Sequence, residues 1–163
     1  MSDISVAHAD AQIITTKKAR YGRYVDTKQW DRFSEIALPH ATFRFLDTDK
    51  TPLSVGKTQL VFNSTSEFTS FFSDAFARAN TLHMFGPGDL EQVAYDEIEA
   101  IWAMEDEIII KDSLGLYELR GGGYYHETWK RHKGDWFIKS LELRRTYTKS
   151  SWLAKDAKQS SKF

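Results

Sequence analysis

No cysteine occurs among the 163 residues, which excludes disulfides, thiolate nucleophiles and cysteine-ligated metal centres. Charge of one sign is not in excess either. Lys and Arg number 22 against 23 Asp and Glu, a formal net charge of −1, so the chain lacks the basic surplus that a phosphate backbone demands and nucleic acid is not an expected partner. No apolar run reaches the length of a membrane-spanning helix, and Met1–Asp10 has no basic stretch leading into an apolar one. The expectation is a cytoplasmic protein without a membrane partner. The five histidines, His8, His40, His83, His126 and His132, show no HExxH or other short ligand spacing, so neither a metal nor a cofactor is expected.

What the chain has in quantity is aromatic side chains. Eleven Phe, seven Tyr and five Trp suit a cavity that receives a small, flat apolar ligand, although core packing accounts for them equally well. The length fits one domain, expected over residues 1–148, and residues 149–163 form a polar, lysine-rich tail without sustained period that is expected to be disordered.

Along the chain, Ile13, Ile14, Tyr21, Tyr24 and Val25 recur at helical spacing with Lys17, Lys18, Arg20 and Arg23 between them, which predicts a first helix. A second short helix is expected over Trp30, Phe33, Ile36 and Ala37, ended by Pro39. Alternation from Ala41 to Leu46 predicts a strand, followed by a turn-rich stretch to Pro52. Phe68, Phe71, Phe72, Ala75 and Phe76 mark a third helix behind the capping residues of Asn63–Glu67. Strands are expected at 81–85, 90–93, 98–104, 107–111, 117–131 and 136–148, with turn signals at Gly86-Pro87-Gly88 and Lys133-Gly134-Asp135. Helices first and a long antiparallel sheet afterwards make an α+β fold. The run Gly121-Gly122-Gly123 interrupts the longest strand, as a bulge or bend of a curved sheet or as a flexible loop.

Asp26, at the end of the first helix, and His83, on an isolated later segment, are the natural parts of an acid/base dyad, because a carboxylate fixes an imidazole tautomer and tunes its proton affinity. Asp26 also reads as the N-cap of the second helix, and His83 as a satisfied core histidine.

Three segments carry a family resemblance: Tyr21-Gly-Arg-Tyr-Val-Asp26-Thr-Lys-Gln-Trp30, Ala100-Ile-Trp102-Ala-Met-Glu105-Asp106, and Gly123-Tyr-Tyr-His126-Glu-Thr-Trp129 with Gly134-Asp-Trp136-Phe-Ile138. In order and spacing, over residues 10–148, they resemble the SnoaL-like enzymes of the nuclear transport factor two-like superfamily. The resemblance implies a cone-shaped α+β barrel, a curved antiparallel sheet wrapped by three N-terminal helices around an apolar pocket, with a homodimer or homotrimer as the assembly. Within the superfamily, Asp26 and His83 are similar to the aspartate and histidine of scytalone dehydratase, which implies loss of water from a hydroxylated cyclic or polyketide-type ketone without metal or cofactor. Where that enzyme has two tyrosines this chain has Val25 and Phe45. Polyketide cyclisation, a ketosteroid-type isomerisation and non-catalytic small-molecule binding remain open alternatives.

The candidate catalytic residues are therefore His83, Asp26, Tyr21, Tyr24 and His126. Tyr21 and Tyr24 share a helix face, where packing explains them, yet a phenol aimed into a cavity stabilises an enolate. Tyr124, Asp106, Trp102, Phe72 and Arg145 are candidates for contact with the substrate. Asp106 also reads as a turn residue and Arg145 as an exposed strand-end arginine. On the 117–131 strand Tyr124, His126 and Thr128 take one face and Tyr125, Glu127 and Trp129 the other, and the expectation is that His126 faces inward.

Overall fold

In the computed structural model, which describes residues 5–112 and 115–151, helix α1 (His8–Asp26) leads into a 3-10 turn (Trp30–Glu35) and strand β1 (Ala37–Leu46). A small hairpin, β2 (Ser54–Val55) and β3 (Thr58–Gln59), precedes β4 (Val61–Phe62) and helix α2 (Thr65–Ala75). Four long strands then follow: β5 (Ala79–Ala94), β6 (Glu97–Asp112), β7 (Gly115–His132) and β8 (Asp135–Ser150).

The mixed α+β fold is built on one six-stranded sheet of order β4-β1-β8-β7-β6-β5. Its pairs are antiparallel except β1 with β8, which run parallel. The sheet curves without closing into a barrel. Bulges at Phe85/Gly88, Gln92/Ala94, Gly122/Gly123 and Thr128/Trp129 supply the bends, since each extra residue kinks and twists its strand. Helix α1 lies across β5 and β8 on the concave side, and α2 lies against β1.

Local chemistry explains most element boundaries. Ser64 caps α2 by accepting from the Glu67 N–H at 3.1 Å, and the Glu67 carboxylate accepts in return from the Asn63 N–H at 2.8 Å. Phe68, Phe72 and Thr65 form the buried stripe of α2, and Phe68 stacks on Phe43 with ring centroids 4.3 Å apart. The β7–β8 hairpin turns through Lys133 (φ 49°) and Gly134 (φ 81°), the positive pair that a two-residue turn of this hand requires.

Several expectations are corrected. The second helix is only a 3-10 turn ending at Glu35, and Ala37 and Pro39 belong to β1. Pro39 is tolerated because the β1–β8 register shifts between Ala37 and Thr42. Gly86-Pro87-Gly88 makes no turn; segments 81–85 and 90–93 are one strand bulged there. Likewise 98–104 and 107–111 are one strand, so Asp106 is a strand residue and not a turn residue. Lys149 and Ser150 of the expected tail belong to β8, and residues 152–163 lie outside the described residues. Among the described residues, no helix is long and apolar enough to cross a membrane.

The triple glycine is strand, paired without a break to β6, and faces a bulge in β8 whose extra residue is Thr146. A Cβ on Gly123 would collide with the backbone carbonyl of Arg144 and the Cα of Arg145, atoms that no rotamer change can move. Gly123→Ala is therefore expected to cost about 1–3 kcal/mol, the range of overpacked interiors, in urea unfolding. Unchanged stability would contradict this account of the bulge.

Candidate active site

Between the concave face, α1, α2 and the β2–β3 hairpin lies a cavity of about 180 Å³. Phe45, Phe68, Phe72, Phe76, Leu60 and Leu143 form its apolar wall, and Tyr21, His83, Asp106, Tyr125 and Arg145 its polar end.

The structure brings Asp26 and His83 together. Asp26 ends α1 facing β5, and its Oδ1 lies 2.7 Å from His83 Nδ1. The same carboxylate accepts from the Thr81 hydroxyl at 2.8 Å and from the His83 backbone N–H at 2.9 Å. Three donors from one strand thus fix the carboxylate, and a carboxylate opposite Nδ1 selects the tautomer with its proton there. The Nε2 lone pair is left pointing into the cavity. Both side chains are sequestered, at 7% exposure for His83 and 13% for Asp26.

Asp106 sits directly across the β5–β6 ladder from His83, and its Oδ2 is 4.0 Å from Nε2. That is too long for a hydrogen bond and leaves the tip of the imidazole without a hydrogen-bond partner among the described residues. Asp106 is instead held by Arg145 through two parallel bonds of 2.5 and 2.7 Å, the bidentate geometry of guanidinium and carboxylate. Arg145 reaches it across β7 because residue 121 is glycine; a Cβ there would fall 2.5 Å from Arg145 Nη1. The expected exposed strand-end arginine is in fact a cavity residue with 7% side-chain exposure.

Of the other candidates, Tyr21 and Phe72 line the cavity. Tyr24 does not; it packs edge-on against Phe33 and donates to Glu35 at 2.7 Å. Trp102 is buried behind the cavity, giving its indole N–H to Glu127 at 2.9 Å. Tyr124 is 46% exposed on the outer face of the sheet. His126 shares that face, on a groove with Asp89, Glu99 and Glu142, which corrects the inward expectation. Tyr125, Glu127 and Trp129 take the inward face instead. Val25 and Phe45, which stand where the resemblance calls for tyrosines, both line the cavity, and its phenols come from Tyr117 and from the pair Tyr21 and Tyr125. Their rings meet edge-on at 5.8 Å, and burial, reinforced for Tyr21 by Tyr125, holds the Tyr21 phenol well above the usual range and so protonated.

Sequence reasoning missed the pair behind these phenols. Lys18 and Glu127, both fully buried, form an ion pair, and Glu127 Oε2 also accepts from the indoles of Trp102 and Trp129, each at 2.9 Å. The Lys18 ammonium lies 3.6 Å from the ring centre of Tyr125, 4.3 Å from that of Phe85 and 4.6 Å from that of Tyr21, within cation–π range. A signal was present: Lys18 falls on the apolar stripe Ile14, Tyr21, Val25 of α1.

The chain matches the SnoaL-like domain over residues 7–142 and belongs to that family. A protein of Gibberella zeae (strain PH-1) named "Probable cyclase FGR4" is 42% identical over 146 residues, spanning 90% of this chain and 97% of the relative. Among solved structures, the Kfla4162 protein of Kribbella flavida superposes with a TM-score of 0.76 at 17% identity, covering 92% of this chain and 99% of that one. A Novosphingobium aromaticivorans protein provisionally named a scytalone dehydratase gives 0.69 at 13% identity over 86% and 87% of the two chains. The hexachlorocyclohexane dehydrochlorinase LinA-type3 of Novosphingobium barchaimii gives 0.65 at 16% identity over 88% of each. At these identities the structures speak for the fold alone.

Burial, opposed by Glu127, pulls the Lys18 pKa from 10.5 to about 8. Between those values the unfolded chain holds the extra proton, so the folded state gains stability as pH rises; the gain is complete above 10.5 and lost below about 8. Relative to a Lys18→Met/Glu127→Gln double variant, the parent protein should gain about 1–2 kcal/mol between pH 7.5 and 9.5 in urea unfolding. Parallel pH profiles would show that Lys18 titrates normally.

Proposed function

We propose that the protein is a cofactor-independent acid/base enzyme that removes a proton α to the carbonyl of a small cyclic ketone and expels a β-hydroxyl, a dehydratase. The observation that carries this reading is the buried 2.7 Å contact of Asp26 with His83, which leaves Nε2 as a free base at the polar end of an apolar cavity. A dyad pulled apart or turned to solvent would instead have favoured a non-catalytic binding protein.

His83 Nε2 takes the α-proton and Asp26 stabilises the imidazolium that forms. The enolate oxygen develops its charge against the phenols of Tyr21 or Tyr125 and the guanidinium of Arg145, donors fixed before the substrate arrives. The carbon–oxygen bond to the β-hydroxyl then breaks, and the imidazolium returns its proton to the leaving oxygen. Asp106, locked to Arg145, supplies the negative charge that keeps this end of the cavity from being strongly cationic.

Cavity size supports dehydration. A cavity of 150 Å³ holds a benzene, so about 180 Å³ suits one or two fused rings and crowds a long folded chain. A second reading, aldol ring closure from the same enolate, is favoured by the cyclase name of the relative at 42% identity. Product mass distinguishes them, since dehydration removes one water and closure alone leaves the mass unchanged.

His83→Ala is expected to lower turnover by about 10²–10⁴-fold, the usual contribution of a positioned acid/base group, with the melting curve little changed. Asp26→Asn should cost less, and exhaustive chelation nothing. The assay is mass spectrometry of small hydroxylated cyclic ketones incubated with each protein. Parental turnover by the His83→Ala protein would overturn the mechanism.

A further inference from the structure

The cavity extends past His83 and Asp106 along the inner face of the sheet, and its far end is furnished differently. The β6–β7 ladder pairs Asp106 with Gly121, Ile108 with Leu119 and Ile110 with Tyr117, and alternation puts residues 117, 119 and 121 on the concave side. His83 stands beside Asp106 in the first of these rows. Tyr117 therefore lies four residues, about 13 Å along the strand, from the row that holds the dyad's imidazole, with Ile108 and Leu119 as an apolar floor between. Tyr125 lies on the other side of Gly121, so phenols stand at both ends of the cavity. They differ in access. Tyr125 and Tyr21 are fully buried at the inner end, whereas Tyr117 is half-buried at the outer one.

The outer end offers hydroxyls and no charge. Among the described residues, the ionisable side chains that line the cavity, phenols aside, are His83, Asp106 and Arg145, all clustered at the inner end. Away from that cluster the polar lining groups are the hydroxyls of Tyr117, of Ser54 on the β2–β3 hairpin, and of Thr148 on β8 opposite Gly121. The Tyr117 hydroxyl has no hydrogen-bond partner among the described residues. Burial alone raises its phenol above the usual range, with no charged neighbour contributing, so it stands at the mouth as a neutral group that can both donate and accept.

We propose that Tyr117 is a specificity-determining residue that hydrogen-bonds a neutral oxygen substituent, a hydroxyl or a carbonyl, on the part of the substrate farthest from the reacting carbonyl. Which end reacts is taken from the acid/base reading of His83, on which this role for Tyr117 rests. Two fused rings with an oxygen at either extremity, and a hydrogen bond at each, bridge the span from His83 to Tyr117; a single ring leaves one end unpaired. The cavity volume of about 180 Å³ admits that choice. An analogue without the remote oxygen leaves the phenol against an apolar edge, and a carboxylate in its place brings a charge to an end of the cavity that holds no cation. The phenol is only half-buried, so its selection is worth about tenfold and not the far larger discrimination of a fully enclosed hydrogen bond.

Calorimetric titration of the full chain with three unreactive probes, 2,6-dihydroxynaphthalene, 2-naphthol and 6-hydroxy-2-naphthoate, tests it. The parent protein should bind the diol about tenfold more tightly than 2-naphthol, and the naphthoate no better than 2-naphthol. Tyr117→Phe should bring the diol down to the level of 2-naphthol while leaving 2-naphthol within about twofold of its parental affinity, a split that loss of packing would not produce. The probes do not turn over, so a missing preference strikes the role of Tyr117 alone, and parental turnover by the His83→Ala protein strikes the chemistry alone. Equal affinity of the parent for diol and 2-naphthol, no binding of either, tightest binding of the naphthoate, a parental preference in Tyr117→Phe, or a Tyr117→Phe protein weakened alike toward diol and 2-naphthol would each overturn the proposal.

Discussion

The geometry of this protein hangs on a single buried carboxylate. Glu127 lies inside the sheet with no access to water, where an ionised group is costly unless its lone pairs are filled. Lys18 and the indoles of Trp102 and Trp129 fill them, so one side chain ties α1 to β6 and β7. Eight residues, about 12 Å along the helix, separate Lys18 from Asp26. Fixing the first fixes where the second meets β5, and Asp26 can orient His83 only if α1 neither slides nor rolls over the sheet. The aromatic rings around the ammonium add a directional constraint, because they are also the walls of the cavity.

The cavity separates its two polar pairs by function. Asp26 is held by three donors from β5 and governs the inner nitrogen of His83, while Asp106 is held by Arg145 and stands off from the outer one. An imidazole between two carboxylates, one in contact and one at 4.0 Å, has room at its reactive nitrogen for a substrate atom. The glycine run makes this possible at a distance: without side chains at 121 and 123, β8 crosses β7 closely enough for Arg145 to reach β6.

The two faces of the sheet divide the labour. Alternation sends Tyr125, Glu127 and Trp129 into the core and Tyr124, His126 and Thr128 outward, and the inward set serves the site while the outward set shapes the surface. Arg144 and Arg145, paired with Tyr124 and Gly123, take opposite faces by the same alternation, so one is exposed and the other buried although they are neighbours; the extra residue Thr146 inverts the faces of β8 only beyond them.

By itself the sequence determined α1 and α2, the strand-rich second half, the β7–β8 turn and the pairing of Asp26 with His83. Each of these is a local matter of helical spacing, capping side chains or positive-φ residues, or rests on motif segments whose order in the chain is itself legible. Only the tertiary structure decided that 81–85 and 90–93 are one strand, since bulges look like turns in a linear string. It alone placed His126 outside and Tyr125 inside, because a two-residue period names two faces without saying which meets the core. It also turned Arg145 from an apparent surface residue into a cavity residue, and made Lys18 and Glu127 partners across 109 positions. Those contacts form between elements far apart in sequence, and no local pattern of charge or hydrophobicity encodes which distant carboxylate a buried cation will find.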